Sequence, residues 1–226
     1  MPESGWRLRP KESTQPEESE SDEGVKTLRS FVLHVLALLP LCFLIWYAIS
    51  DYVAAPAYLL AGILLNTWLP DVVDEVTLQN GAMMVSTFFG EANGAIIDAH
   101  IAGNQLAYPV DTRLQSYAIP FYVALHFAMR PTQGLARLAW PLMILWVVLG
   151  VGLVATSAKN FMLGLGNTFL DHAAVPPADV IALAYQFFTI MAPALLPVVI
   201  WAYAFKGSAL LSSLLRPAAR PAQDID

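Results

Sequence analysis

Four long hydrophobic stretches, interrupted once by a polar segment with a strand-like period, set the pattern of this chain. Phe31–Ser50, Leu114–Met129, Leu138–Ala158 and Val180–Phe205 carry almost no charge. A helix rises about 1.5 Å per residue, so about 20 apolar residues cross the hydrocarbon core of a bilayer. Three of the stretches reach that length, and Leu114–Met129 falls at the short end and has to borrow flanking residues. The pattern predicts an α-helical multi-pass membrane protein of about four spans. After the first span, Tyr52–Leu69 is apolar but punctuated by Pro56, Gly62, Asn66 and Trp68. Tyr and Trp favour the membrane–water boundary, which predicts an interfacial or re-entrant helix, with a fifth full span as the alternative.

Over Asp71–Asp111 the period shortens to that of strands. Glu75–Gln79 and Ala82–Phe88 flank Asn80-Gly81, a pair suited to a type I′ turn because both central residues need positive φ. Ala95–Ile101 and Gln105–Val110, joined through Gly103-Asn104, read as a second hairpin, with Gly90–Gly94 as the loop between the two. Together they predict a small antiparallel β-meander, too small to be stable by itself and therefore resting on the helices or a partner. The expected division is a disordered tail over 1–30, a first transmembrane helix over 31–50, an interfacial helix over 51–70, an extracytoplasmic β segment over 71–112, a three-helix transmembrane region over 113–206 and a tail over 207–226.

Composition supports the spans: 57% of residues are hydrophobic and only 13% charged, unlike a soluble domain of this size. The net charge of −6 matters less than its sorting. Lys26, Arg29, Arg130, Arg137, Lys206, Arg216 and Arg220 fall on one side of a four-span arrangement, and only Arg113 and Lys159 on the other. Basic residues mark the cytoplasmic side, which places both termini in the cytoplasm and the larger loops outside. Residues 12–23 are acidic and serine-rich, with too little apolar surface to order themselves. The first hydrophobic run is too long for a cleavable signal and lacks a cleavage site, so it reads as a retained anchor.

Candidate chemistry is sparse. Arg113, at the exit of the β segment, needs an anionic or carbonyl partner; an ion pair with Asp111 or a lipid headgroup would suffice, and an incoming carboxylate or peptide backbone is the sharper reading. His100 and His172 each stand beside an aspartate, Asp98 and Asp171, and Asp98 and His100 would share a strand face. No metal-ligand spacing links them, so no metal or cofactor is expected. His126 reads as an interhelical hydrogen-bonding residue. Cys42, the single cysteine, lies inside the first span, which excludes an intrachain disulfide and leaves no positioned thiolate. No basic patch for nucleic acid exists outside the tail. Spans three and four hold no Asp, Glu or Lys of the kind an ion-coupled carrier uses.

The order of parts resembles a known family. Leu41-Cys-Phe-Leu-Ile-Trp-Tyr47, Leu65-Asn-Thr-Trp-Leu-Pro70 and Tyr108-Pro-Val-Asp-Thr-Arg-Leu-Gln-Ser-Tyr-Ala-Ile-Pro120 are similar to segments of the exosortase H-associated membrane proteins, over roughly Leu39–Met129. The resemblance implies a bacterial inner-membrane protein working beside an exosortase, a multi-pass protease that cleaves C-terminal sorting tails from exported proteins. Exosortases carry catalytic Cys, Arg and His on the outer face; here Cys42 is displaced into the first span and no Cys-Ser-Gly opens the next, which argues against transpeptidase activity. The implied role is a non-catalytic accessory protein contacting the exosortase, its sorted substrate and membrane lipids. Arg113, Asp111, Tyr108 and Tyr117 are the candidates for that contact, and His100, Asp98 and His172 are weaker polar candidates. An intramembrane enzyme acting on peptide or lipid through Arg113 and a histidine is the alternative, and a small transporter subunit a more remote one.

Overall fold

The computed structural model describes residues 15–79, 81–131, 134–208 and 210–212, with side chains from Lys26 onward. Helix α1 runs over Gln15–Trp68 and is interrupted at Ile49, whose φ of −121° and ψ of 19° break the helical path. It begins inside the segment expected to be disordered, because extending an existing helix is far less costly than nucleating one. The predicted first span and the predicted interfacial helix are thus the two halves of one broken helix. The second half buries Ala54, Ala57, Ala61 and Leu65, all fully inaccessible, at helical spacing.

That stripe packs along α5 (Gly134–Leu165). The Trp146 indole N–H donates to the Val53 carbonyl at 2.9 Å, and four residues further along each helix Gly150 faces Ala57 and Leu60. Two contacts advancing in the same direction mean that the helices lie side by side and parallel, so Tyr52–Leu69 leans along α5 and does not cross it. Small residues on both sides permit the close approach. Short α6 (Asn167–Leu170) leads to α7 (Ala178–Gln186), a π-helical segment over Phe187–Met191, and α8 (Ala192–Ala204). Among the described residues three helical stretches are long and apolar enough to cross a membrane: Lys26–Trp68, Gly134–Leu165 and Ala178–Ala204. The expected span over Leu114–Met129 is instead two pieces, α3 (Arg113–Ser116) and α4 (Ala118–Ala128). Pro120 has no N–H to offer the Ser116 carbonyl, which accounts for the break between them. His126, fully buried on α4, hydrogen-bonds the Gly134 carbonyl at 2.8 Å and so ties α4 to the start of α5, as its interhelical reading anticipates.

The β segment departs from the four-stranded meander. Strands β1 (Val73–Gln79), β2 (Ala82–Thr87) and β5 (Ala107–Asp111) form one antiparallel sheet in the order β1-β2-β5. The shorter β3 (Phe89–Ala92) and β4 (Ala95–Asp98) make a separate hairpin. Gln79 pairs with Ala82, so two residues close the first hairpin as expected; Gly81 has a φ of 80°, while Asn80 lies outside the described residues. The second turn is a different Asn-Gly pair, Asn93 and Gly94, with φ of 53° and 79°. Both values suit a type I′ turn.

The expected strand Ala95–Ile101 stops at Asp98 because that side chain caps a one-turn helix, α2 (Ala99–Ala102), accepting from the His100 N–H at 2.8 Å. Gly103, at φ 72°, ends the turn. Asp98 and His100 therefore do not share a strand face. Asn104 holds the following loop against β3, accepting from Glu91 N–H at 2.9 Å and donating to Glu91 O at 2.8 Å. This frees β5 to pair with β2.

Alternation on β2 turns Met83, Val85 and Thr87 inward, where Met83 and Val85 meet Val72, Val73, Val110, Leu65 and Leu69 in the same hydrophobic cluster as the helices. The sheet has no core of its own; the helices complete it. On the other flank Tyr108 of β5 packs edge-on against Phe161 of α5, centroids 5.6 Å apart, directly over Gly164. A methyl at Gly164 would overlap the Tyr108 ring. We expect Gly164→Ala to destabilise the protein by about 1–3 kcal/mol, read as a lower thermal midpoint in detergent. Adding Tyr108→Ala should recover part of the loss by removing the clash.

Candidate functional site

The break in α1 opens onto a polar junction between helices and sheet. Ile49 leaves helical dihedrals, and the adjoining Ser50 and Asp51 face the start of α3. Arg113 Nε donates to Ser50 Oγ at 3.2 Å, its terminal nitrogen lies 3.7 Å from Asp51 Oδ1, and its guanidinium carbon sits 5.6 Å from the Tyr47 ring centroid. The Arg113 backbone N–H donates to Asp111 Oδ1 at 2.8 Å. Asp111 thus secures the start of α3, and the ion-pair partner of the guanidinium is Asp51. Next door, buried Thr112 donates to the Gly81 carbonyl at 2.9 Å and fixes the first hairpin to the same point.

Magnitudes rank these contacts. The Arg113 and Asp51 side chains are 40% and 44% exposed, so solvent screening leaves their ion pair about 0–1 kcal/mol. The cation–π contact is worth about 0.5–1 kcal/mol at such a site. Ser50 is only 2% exposed, and a hydrogen bond to a charged donor contributes about 1.5–3 kcal/mol. Ser50 is therefore the stronger grip and Asp51 the charge balance.

The candidates at the exit of the sheet separate by role. Asp111 is exposed and Arg113 and Tyr117 are partly exposed. Tyr108 is half-buried on α5, and that burial, with the Glu91 charge adding to it, pushes its phenol above its ordinary pKa and keeps it neutral. It is a packing residue with one accessible edge. His100 lies elsewhere, in an open recess of about 430 Å³ with Asp74, Asn104 and Gln105. His172 sits in the turn after α6, where its backbone N–H donates to Phe169 O. Among the described residues, the hydrogen bonds and ion pairs of Arg113, His100 and His172 share no partner, and no cluster of His, Cys, Asp and Glu could hold a metal ion.

Two groups escaped the sequence reading. Ser50 and Asp51 mark the polar break in an otherwise apolar run, a signal that ends a span but does not name a partner 60-odd residues away. Gln115 is 3% exposed, and its amide donates to Thr156 Oγ1 at 2.8 Å and to the Gly152 carbonyl at 3.3 Å. It thereby joins α3 to the middle of α5.

This is a polytopic membrane protein whose small β platform is mounted on a broken helix and a long parallel neighbour. The chain belongs to the exosortase H-associated membrane protein family, whose model matches residues 25–208. No curated protein and no solved structure matches it.

Gly81 offers a local test of the junction. A Cβ there would approach Arg113 Nη2 at 2.9 Å and Asp51 Oδ1 at 3.0 Å, whereas Gly94, at nearly the same φ, faces open space. Each alanine substitution should cost about 1–2 kcal/mol for its left-handed backbone. Gly81→Ala should lower the thermal midpoint further than Gly94→Ala, and removing the guanidinium with Arg113→Ala should shrink that difference.

Proposed function

We propose that this protein is a non-catalytic accessory subunit of the bacterial inner membrane that docks exosortase H, or the tail of a protein being sorted, through its β segment. The observation that carries the reading is the state of the two sheet edges. β5 is occupied: Pro109 has no N–H, and Asn160 of α5 donates to the Pro109 carbonyl at 3.2 Å. β1 is paired on its β2 side alone among the described strands. An extended segment can add to such an edge through main-chain hydrogen bonds. Asp111, Arg113 and Tyr117 stand at the base of the same platform, Arg113 with donors beyond those used on Ser50 and Asp51. Tyr108 contributes mainly by holding the platform on α5. Membership of a family named for its association with exosortase H supports the choice of partner.

In this reading both termini are cytoplasmic, residues 71–112 are extracytoplasmic, and residues 113–206 form a three-helix membrane region in which α3 and α4 complete a short fourth span. The intramembrane-enzyme alternative gains nothing from the separate surroundings of Arg113, His100 and His172. The weaker polar candidates Asp98 and His100 serve the α2 turn and the recess beside it.

A photoreactive residue at Thr77 on β1 should capture exosortase H or a protein with a C-terminal sorting tail in native membranes, and the same probe at Leu163 on α5 should not. Capture of neither at Thr77, with incorporation confirmed, overturns the docking surface. Placement has its own check. In a Cys42→Ser background, cysteine at Glu91 should react with a membrane-impermeant maleimide in intact spheroplasts, and cysteine at Ser208 only after lysis.

A further inference from the structure

At the opposite end of the molecule from the β platform, three chain segments enclose a recess of about 510 Å³. Lys26, Thr27, Ser30, Phe31 and His34 come from the start of the first apolar stretch, Ala128, Met129 and Arg130 from the end of α4, and Ser208 and Leu210 from the chain beyond α8. These residues sit near the ends of the long apolar helical stretches, the depth at which a bilayer's headgroups would lie. Cationic and hydroxyl side chains form part of the lining and Phe31, Met129 and Leu210 another; among the described residues no carboxylate lines it. Phe31 is stacked on Trp201 of α8, centroids 5.2 Å apart, so that apolar wall is held in place.

Arg130 is the unusual member. Its φ of 49° puts it in the left-handed region, one of two described non-glycine residues there. Holding a long side chain in that conformation costs about 1–2 kcal/mol, a cost that glycine would avoid. The guanidinium meets the Nε2 atom of His34. His34 Nδ1 lies 2.6 Å from the Ser30 carbonyl, an acceptor only, so Nδ1 carries the proton and Nε2 offers its lone pair to Arg130. The imidazole orients the guanidinium and brings no negative charge to cancel it. His34 is the one side chain it bonds among the described residues, and a guanidinium has five N–H donors.

We propose that this recess binds the phosphate of an anionic phospholipid headgroup, with Arg130 as the principal ligand, Ser30 and Ser208 as hydroxyl donors, and Phe31, Met129 and Leu210 against the upper acyl chains. Basic pockets at helix ends take such headgroups because charge and depth match the lipid. The apolar wall beside the charge selects a lipid over a free anion.

The full-length protein in detergent is titrated with phosphatidylglycerol, phosphatidylcholine or inorganic phosphate, and bound species are counted by native mass spectrometry. Phosphatidylglycerol should be retained over phosphatidylcholine. Arg130→Gly, which suits the left-handed backbone and so preserves folding, should weaken that retention about tenfold. Arg130→Lys should restore part of it, and Arg137→Gln, outside the recess, should leave it unchanged. Equal retention of the two lipids, or unaltered retention in Arg130→Gly, overturns the site. Inorganic phosphate binding as tightly as phosphatidylglycerol overturns the assignment to lipid.

Discussion

A sheet of three short strands cannot bury enough surface to stand alone, so the structure depends on how this one is seated on the helices. The seat is the junction at the broken α1. Ile49 leaves the helical path, Ser50 and Asp51 become available to a distant partner, and Arg113 spans the gap from the end of β5. One side chain thereby connects the middle of α1, the exit of the sheet and the start of α3. Thr112 and Gly81 add the first hairpin to the same point. The second attachment is apolar: Tyr108 against Phe161 over a bare Gly164. Between a polar clasp and an aromatic contact the platform is held at two separated places, which restricts rocking as well as sliding.

The two ends of the molecule present different chemistry. The platform end carries a sheet edge and a half-exposed guanidinium already balanced by Asp51, suited to reading a backbone or a carboxylate at modest cost. The other end carries Arg130 oriented by His34 beside an apolar wall. If the proposed docking and the proposed lipid site both hold, the lipid at one end would fix the depth in the bilayer at which the other end meets its partner.

Much of the fold was legible from periodicity. The helices and the Gln79–Ala82 hairpin follow from local pattern, and the family resemblance through Leu65–Pro70 and Tyr108–Pro120 agrees with the match over 25–208. Errors came where two local signals competed. Ala95–Ile101 alternates like a strand, but Asp98 and Gly103 are also the start and stop of a helical turn, and the capped turn won. Asn93-Gly94 closes a hairpin of its own where the Gly90–Gly94 stretch suggests only a connecting loop. Nearness in sequence makes Asp111 one of several candidate partners for the Arg113 guanidinium, yet at a helix start a carboxylate two residues back is better placed to accept the backbone N–H.

Local composition by itself determined that the chain is a membrane protein with a β insert, because apolar run length and strand period are properties of neighbours in sequence. Tertiary structure alone decided which carboxylate answers Arg113, which edge of the sheet is left without a neighbour among the described strands, and that His34, Arg130 and Ser208 meet in one recess. Those outcomes depend on the packing of α1 along α5 and the return of α4 and α8 to one end. Such long-range geometry is set by the summed fit of small residues such as Ala57 and Gly150, and no single segment encodes it.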